Sequence, residues 1–483
     1  MNPQALRRIA VIAFGALALS HCALNPVTGD KDFVLMSEQQ EVQLGAQAHQ
    51  DVLKEYAALA NPALQAYVNE VGQRLAKQSH RPNLKWHFTV VDSADVNAFA
   101  LPGGYVYITR GLMAYLNSEA ELAGVIGHEI GHVTARHGVR QHSAQTVAGV
   151  GAVLGSILVP GMNNQAGASL LQTLAQAWTA GYGREHELES DRLGAEYLAK
   201  TGYDPQAMID VIGVLKNQEL FAAEQARRDG RPPRTYHGTF DTHPSNDTRL
   251  KQVVDAANQY TVAIPREGRN DYLQKMAGVT FGDSPDQGLI RNNLLLHEKL
   301  GLAIQFPPGW RVQNRPDRVT ALSPKGDALV ELQQGPKHDK PLETLQKGIK
   351  LDAGARYDSG SLSGYPAAFA AGAQQGKPVV AAAVVFDGTQ YLIAGMAKDK
   401  PVYERERNAL RGAINSFRAI TPAERQAARP YVLQLITAQP GMTMAALARQ
   451  SPLGADAESQ LRLMNALYPS GEPRPGQILK IVQ

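Results

Sequence analysis

The chain has little that would favour cross-linking, membrane insertion or nucleic-acid binding. Only one of its 483 residues is a cysteine, Cys22, so no disulfide can form within it. The 48 Lys and Arg residues are nearly balanced by 45 Asp and Glu residues. No basic stripe is interleaved with aromatic residues, which leaves nucleic-acid binding without support. After the first 22 residues no apolar run approaches the roughly 20 residues that cross a bilayer. The length therefore predicts two or three domains that depend on buried cores.

What the chain does contain is an HExxH motif at residues 128–132, with the sequence HEIGH. On a helix this spacing puts His128 and His132 on one face, one turn apart, where they can bind a single Zn²⁺. The apolar run at 122–126 predicts that the motif lies on a half-buried helix. Glu129 could then reach a water molecule on the zinc without ligating the metal. The motif predicts the geometry of a zinc peptidase.

Zinc in a hydrolase needs a third protein ligand and one position left for water. The candidates lie in the acidic segment 184–191. Glu187 and Asp191 are four residues apart and share a helix face, so Glu187 could bind zinc while Asp191 accepts the N–H of a ligating histidine. Glu189 is the alternative ligand. A solvated acidic helix face is the alternative interpretation of the whole segment.

A third cluster contains His243, in the sequence THPS at 242–245, and Arg249. His243 could donate a hydrogen bond to the oxyanion of a tetrahedral intermediate, or occupy the open zinc position at rest. Arg249 could support substrate or intermediate charge. Taken alone, a His-Pro pair indicates a turn with a surface histidine.

These three clusters, in this order, resemble the zinc metallopeptidase family M48, which includes the CaaX prenyl proteases and the bacterial envelope proteases HtpX and BepA. The segments 97–112 and 25–29 add to the likeness, which covers residues 22 to 260. The resemblance implies an α+β fold, with an α-rich zincin domain of the gluzincin type, a small sheet and one Zn²⁺ per chain.

The resemblance also implies residue roles. It makes His128, His132 and Glu187 the zinc ligands, Glu129 the general base and Asp191 the carboxylate behind a ligating histidine. By the same likeness His243 and Arg249 stabilise the intermediate, and Asn97, Ala98 and Phe99 bind substrate.

Residues 105–109 alternate and are rich in aromatic and β-branched side chains, which predicts a strand. If this strand is the sheet edge beside the zinc, an extended substrate could pair with it through main-chain hydrogen bonds. Unfolded polypeptide would then be the preferred substrate. His137 does not fit the metzincin pattern, and we interpret it, with His142 and His186, as a local structural residue.

Residues 1–22 indicate an export signal, because Arg7 and Arg8 precede an apolar core at 9–19. The end of this segment, LSHC at 19–22, resembles a bacterial lipobox, from which it departs at His21. We therefore predict lipidation of Cys22 and a periplasmic lipoprotein anchored to the outer membrane. An ordinary cleaved signal with a free thiol is the alternative.

Four segments are predicted: the signal at 1–22, the peptidase domain at 23–275, a smaller α+β domain of unknown role at 276–425, and a C-terminal unit at 426–483. The C-terminal unit resembles a LysM-type glycan-binding module, which would make peptidoglycan a partner. The alternative is a βαβ appendage that packs on the middle domain. The middle domain shows no 34-residue period of the kind that marks helical repeats.

Element predictions follow the same boundaries. In the peptidase domain we expect helices across 37–80 and on to 220, strands at 86–92 and 105–109, a polar loop at 219–242 and a last helix at 245–259. The apolar, glycine-rich stretch 147–160 indicates a buried helix followed by a loop, or else a lid or a lipid-contacting surface. In the middle domain we expect strands at 302–306, 310–314, 319–322, 328–333, 379–386 and 391–397 and helices at 341–351 and 402–417.

The leading functional hypothesis is a zinc endopeptidase that degrades misfolded or stalled envelope proteins. A second hypothesis is a chaperone or assembly factor for outer-membrane proteins with a largely latent peptidase site. A third is a peptidoglycan-anchored scaffold. A general base between two metal ligands favours the first, because a binding protein has no chemical need for one.

Overall fold

The computed structural model describes residues 22–34, 36–141, 143, 183–228, 253–315, 317–336 and 340–483. The α-helices that lie wholly within these ranges are α1 (Glu38–Glu55), α2 (Pro62–Ala76), α3 (Arg110–Tyr115), α4 (Glu119–Thr134), α5 (Arg184–Lys200), α6 (Ala207–Arg228), α7 (Arg269–Met276), α8 (Pro341–Gly348), α9 (Lys400–Asn415), α10 (Pro422–Ala427), α11 (Met444–Ala448) and α12 (Ala457–Met464); residues 137–141 and 253–258 are also helical. None of them is long and apolar enough to cross a membrane.

The strands in the same ranges form five sheets. They are β1 (Cys22–Leu24), β2 (Lys31–Phe33), β3 (His87–Val91), β4 (Ala98–Leu101), β5 (Tyr105–Thr109), β6 (Thr280–Phe281), β7 (Leu289–Arg291), β8 (Leu294–His297), β9 (Leu302–Gln305), β10 (Arg311–Asn314), β11 (Arg318–Leu322), β12 (Ala328–Gln334), β13 (Arg356–Leu362), β14 (Tyr365–Gln374), β15 (Lys377–Phe386), β16 (Thr389–Ala397), β17 (Arg418–Ala419), β18 (Tyr431–Thr437) and β19 (Ile478–Val482). The mixed α and β composition agrees with the predicted fold class.

The small sheet beside the HExxH helix has the strand order β3-β5-β4. Strand β5 is parallel to β3 and antiparallel to β4. The expectation that residues 105–109 form the edge is therefore wrong, since β5 is the central strand and β4 is the edge. The reason is the tight turn at Gly103 and Gly104, which have φ values of 80° and 95° and fold β4 back along β5.

Helix α4 carries the HExxH motif. It begins after Ser118, whose hydroxyl accepts the N–H of Glu121 at 3.1 Å, and every residue of the helix is buried. We expected a half-buried helix, but α4 packs against β4, α2, α5 and α6. These neighbours cover all of its faces, so α4 is a central helix of the peptidase core.

Helix α6 extends to Arg228, so the loop predicted to begin at Glu219 is wrong for the described residues 219–228. Phe221 and Ala226 are buried and continue the apolar face of the helix. The end of the helix is also tied down, because Gln225 donates a hydrogen bond to Asp456 at 2.8 Å. The polar composition of this stretch concealed a helix that tertiary contacts stabilise.

The middle segment contains a seven-stranded antiparallel sheet in the order β10-β11-β12-β16-β15-β14-β13. Helix α9 packs against β12, β15 and β16, and α8 packs against β13 to β16. Strands β13 and β14 were not predicted. Most residues of β13 are exposed, so its sequence lacks the apolar alternation that marks a half-buried strand.

The C-terminal unit runs strand, helix, helix, strand, with β18 antiparallel to β19 and α11 and α12 between them. Strand β18 also pairs with β6. Buried apolar residues of the unit, among them Leu433, Leu461 and Leu479, belong to the same core as α2 and α4. The unit therefore packs on the peptidase domain, and through β6 it also pairs with the first residues of the segment 276–425.

Candidate zinc site

Three buried side chains from two helices converge at one point. His128 and His132 lie one turn apart on α4, and Glu187 lies in the first turn of α5. The Nε2 atoms of the two histidines are 3.0 Å apart. Glu187 Oε1 is 3.4 Å from His132 Nε2, and Glu187 Oε2 is 3.6 Å from His128 Nε2. One ligand atom from each residue lies within 4.8 Å of the others.

These separations fit a zinc ion. In a tetrahedral site with bonds of about 2.0–2.2 Å, neighbouring ligand atoms lie about 3.3–3.6 Å apart. The two Nε2 atoms, 3.0 Å apart, are slightly closer than such an edge, and each of them has a different oxygen of Glu187 at 3.4 or 3.6 Å. Two imidazoles and one carboxylate are also the donor set of a common class of catalytic zinc site.

Asp191 holds the first histidine from behind. Its Oδ1 lies 2.8 Å from His128 Nδ1, so the ring donates Nδ1–H to the carboxylate and keeps the Nε2 lone pair toward the cluster. Such a bond fixes the tautomer and raises the basicity of the ligand. Asp191 lies one turn after Glu187 on α5, as the spacing of four residues predicted.

His137 approaches the second histidine from behind. Its Nδ1 is 2.9 Å from His132 Nδ1, and its Nε2 is 3.0 Å from Glu189 Oε2. His137 is fully buried, which lowers its pKa, whereas its hydrogen bond to Glu189 lowers the pKa of that carboxyl. The alternative of Glu189 as a zinc ligand is not what the structure shows, because its carboxylate bonds to His137.

His137 and His186, which the motif pattern indicated to be local structural residues, lie side by side. The two rings stack with centroids 4.2 Å apart, and burial lowers the pKa of His186 to about 4. His137 also contacts a candidate ligand, His132, which the sequence interpretation did not include. The available signal was a histidine five residues after His132, just beyond the end of the helix. His142 lies outside the described residues.

A buried ion cluster surrounds the turn at residues 135–136, directly after α4. Arg136 adopts φ 55°, a conformation that side-chain-bearing residues rarely take. Its Nε donates to Glu41 Oε2 at 2.9 Å, and Arg81 donates to Glu41 Oε1 at 2.7 Å and to the Val133 carbonyl at 3.1 Å. These contacts hold the turn that brings His137 back onto α4.

Glu129 is buried at 3% exposure and lines a small apolar pocket together with His128. The other walls come from β4, α3, α4 and α6, and include Ala98, Val125 and Val211. A carboxylate beside the candidate ligands and an apolar recess therefore share one location.

Strand β4 borders this pocket. Ala98 lines it, whereas the Phe99 ring stacks on Tyr107 with centroids 4.8 Å apart, on the opposite face of the sheet. Asn97 is buried, and its N–H donates to Thr109 Oγ1 at 3.0 Å. In the described residues no strand pairs with the outer edge of β4. The side chain of Ala98 thus lines the pocket beside Glu129, but the side chain of Phe99 does not.

Several predicted features lie outside the described residues: His243, Arg249, the stretch 147–160 and residues 245–252 of the last predicted helix. Residues 253–258 of that helix are helical. Cys22 begins strand β1, which does not bear on its lipidation.

Comparison with known proteins shows which family has a matching sequence. The sequence profile of Peptidase family M48 matches residues 62–257, the stretch that contains both halves of the site. Metalloprotease YcaL of Escherichia coli (strain K12) is 30% identical over 193 residues, which cover 39% of this chain and 70% of YcaL. The chain belongs to peptidase family M48. The resemblance drawn from the motifs is confirmed.

Two other relatives are matched over a smaller share of their own length. Beta-barrel assembly-enhancing protease of Escherichia coli (strain K12) is 34% identical over 247 residues, 50% of this chain and 48% of that protein. Mitochondrial metalloendopeptidase OMA1 of Arabidopsis thaliana is 33% identical over 188 residues, 38% of this chain and 33% of OMA1. The chain spans about half the length of the assembly-enhancing protease.

Proposed function

We propose that this member of peptidase family M48 is a zinc-dependent endopeptidase in which His128, His132 and Glu187 hold one Zn²⁺. The observation that carries the proposal is the convergence of three buried side chains, with one ligand atom from each within 4.8 Å of the others and Glu129 next to His128 on α4. A buried carboxylate between two metal ligands has no structural purpose that an apolar residue would not serve better. It does have a chemical purpose, as a general base.

In the proposed mechanism a bound zinc ion supplies the positive charge that acidifies a water molecule and polarises the scissile carbonyl. Glu129 accepts the proton of the attacking water and delivers it to the leaving amine. Asp191 keeps His128 in the tautomer whose Nε2 faces the cluster. His243 and Arg249 remain proposed stabilisers of the intermediate.

The proposed substrate is unfolded polypeptide. The open edge of β4 offers main-chain N–H and C=O groups next to the site, and an extended chain can pair with such an edge. A compact protein cannot present a free strand there without local unfolding. The backbone of Asn97, Ala98 and Phe99 is the proposed docking surface.

The apolar pocket beside Glu129 supports a finer proposal about sequence preference. Its walls are apolar side chains such as Leu112, Val125 and Leu215, all buried. A polar side chain placed there would lose its hydrogen bonds to water. We therefore propose that an apolar residue of small or medium size next to the scissile bond enters this pocket.

The biological setting is also a proposal. The name of the assembly-enhancing relative and the lipobox-like end at Cys22 support quality control of misfolded or stalled proteins in the bacterial periplasm, at the outer membrane. We propose the domain boundaries 23–275, 276–425 and 426–483 as in the sequence analysis, with the last unit as a candidate peptidoglycan-binding module. Binding to purified cell-wall sacculi tests that assignment.

Glu129→Gln tests the peptidase proposal. We expect the variant to retain one zinc ion per chain and to lose cleavage of casein, because the amide cannot accept the proton of water. Wild-type protein stripped of zinc and then reconstituted should lose and regain cleavage. Full cleavage by Glu129→Gln would overturn the mechanism, and a zinc-loaded wild type without cleavage would favour the chaperone or assembly-factor hypothesis.

Mapping the cleaved bonds in casein tests the apolar pocket. We expect apolar side chains to be enriched on one side of the cleaved bond, since only one side faces the pocket. Cleavage without any such enrichment would contradict the pocket proposal and leave the peptidase proposal intact.

A further inference from the structure

The two candidate zinc-binding histidines are supported in different ways. His128 bonds directly to a carboxylate, Asp191, at 2.8 Å. His132 bonds to His137 at 2.9 Å, and His137 bonds in turn to Glu189 at 3.0 Å. In both cases the hydrogen bonding starts from Nδ1 of the candidate ligand, the ring nitrogen that faces away from the other two ligands. In both cases it ends on a carboxylate of α5.

The geometry determines which ring nitrogens carry the protons in the series His132–His137–Glu189. His132 points Nε2 at His128 and Glu187, so a ligating ring must carry its proton on Nδ1. That Nδ1–H donates to His137 Nδ1, which leaves the proton of a neutral His137 on Nε2. The Nε2–H then donates to Glu189 Oε2. Ser190 Oγ lies 3.4 Å from the same His137 Nδ1, farther than His132.

The geometry of α5 explains why a residue must lie between His132 and Glu189. Residues 187 and 191 lie on one face of α5, whereas residue 189 is turned by about 200° from residue 187. Glu189 therefore cannot reach the back of His132 in the way that Asp191 reaches His128. His137, directly after the turn at Arg136, spans the gap with contacts to both residues.

We propose that His137 is a positioning residue. By accepting a hydrogen bond from His132 while donating one to Glu189, it orients the His132 ring toward the metal and raises the basicity of His132. The proposal rests on the zinc site proposed above. It assigns a role to His137 and Glu189 that does not require either residue to touch the ion or the substrate.

The test compares His137→Leu with His137→Gln in the full-length chain. Leucine fills a similar volume but neither accepts nor donates, whereas glutamine offers an acceptor to His132 and a donor to Glu189. Zinc affinity is measured by competition with a chelator. We expect binding at least about 10-fold weaker in His137→Leu, the usual effect of losing such a contact, and substantial recovery in His137→Gln.

A matched control separates positioning from loss of structure. The hydroxyl of the fully buried Tyr197 on α5 bonds to Thr134 on α4 at 3.1 Å, so Tyr197→Phe removes a hydrogen bond between the same two helices but outside the proposed chain. We expect it to leave zinc affinity near the wild-type value. The visible spectrum of the cobalt(II)-substituted protein should shift in His137→Leu and not in Tyr197→Phe.

Wild-type zinc affinity in a folded His137→Leu, or an equal loss in Tyr197→Phe, would overturn the proposal. If His137→Leu does not fold, Glu189→Gln replaces it, with a loss of affinity expected because an amide accepts a hydrogen bond more weakly than a carboxylate. Unchanged affinity in that variant would also overturn the proposal. Because affinity is measured without substrate, absent proteolysis would remove the proposed function without deciding this one.

Discussion

Glu119, the first residue of α4, shows how one buried carboxylate anchors the helix that carries the HExxH motif. Its Oε1 accepts hydrogen bonds from Tyr203 at 2.6 Å and from Arg74 at 3.1 Å, and Arg266 lies 3.1 Å away. Burial alone would raise the pKa of Glu119, but the hydrogen bond from Tyr203 and the charges of Arg266 and Arg74 hold it below the ordinary value of 4.5. The ionised form is thus the one that the folded protein stabilises.

Glu119→Gln should lower the free energy of unfolding by about 2 kcal/mol at neutral pH, because hydrogen bonds to a charged acceptor are lost. A carboxyl whose pKa is lowered on folding contributes stability above its unfolded pKa and loses it as the pH falls through the folded value. The difference between wild type and variant should therefore shrink below pH 4.5. Urea unfolding at neutral pH and at a series of acidic pH values measures it.

The control for this prediction is Glu70→Gln. Glu70 also pairs with Arg74, at 2.9 Å, but its side chain is 71% exposed, so its loss should have little effect on stability. A stability difference for Glu119→Gln that stays constant or grows in acid would contradict the assigned pKa direction.

At the scale of helices, the site exists because α4 and α5 cross at very short range. A Cβ atom on Gly131 would lie 3.0 Å from Ser190 Cα and 3.1 Å from its carbonyl oxygen. A Cβ on Gly194 would lie 3.2 Å from the backbone nitrogen of His128. Glycines at the crossing let ligands from both helices reach one metal ion.

Gly131→Ala should push the two helices apart. We expect a loss of about 1–3 kcal/mol of stability from overpacking and weaker zinc binding, since Glu187 would move away from His128 and His132. Gly213→Ala on α6 is the matched control: its Cβ would meet nothing within 4 Å, and alanine should stabilise the helix by about 0.5–1 kcal/mol. Zinc titration and thermal unfolding measure both variants. Unchanged zinc affinity in Gly131→Ala would show that the crossing tolerates a larger separation.

Local spacing was enough to predict the parts of the site that lie within single helices. The HExxH helix and the pairing of Glu187 with Asp191 follow from the 3.6-residue period alone. The contact of His137 with His132 could not be predicted, because it depends on the positive φ of Arg136 and on Glu41, which lies about 95 residues earlier in the sequence.

Other elements could not be predicted because tertiary contacts decide them. The last turns of α6 form against Asp456 of the C-terminal unit, and β13 forms an exposed sheet edge next to β14. The order of β4 and β5 depends on how the chain folds back, which alternation along one strand does not encode.

At the scale of the whole molecule, the C-terminal unit and the peptidase domain share a buried polar contact. Lys480 on β19 is completely buried, and its Nζ donates to the carbonyl oxygens of Ala114 and Leu116 at 2.8 and 2.5 Å. Burial lowers the pKa of this ammonium group to about 7. Leu116 lies two residues before Ser118, the N-cap of α4. The C-terminal unit therefore contacts the chain just before α4 begins.

Lys480→Ala should lower the free energy of unfolding of the whole chain by about 2–3 kcal/mol, since two buried carbonyl groups lose their donor. Lys325→Ala is the control, because Lys325 is exposed and should be neutral. Thermal unfolding and protease sensitivity of the region around α4 are the measurements. A variant as stable as wild type would show that the contact between the two units does not contribute to the stability of the peptidase core.

The most direct measurement is the position of zinc in crystals of the full chain, from anomalous scattering at the zinc absorption edge. We predict one ion per chain, bonded at about 2.0–2.2 Å to His128 Nε2, His132 Nε2 and a carboxylate oxygen of Glu187. Zinc bound through Glu189 in place of Glu187, or no ion between α4 and α5 in zinc-loaded protein, would contradict the site.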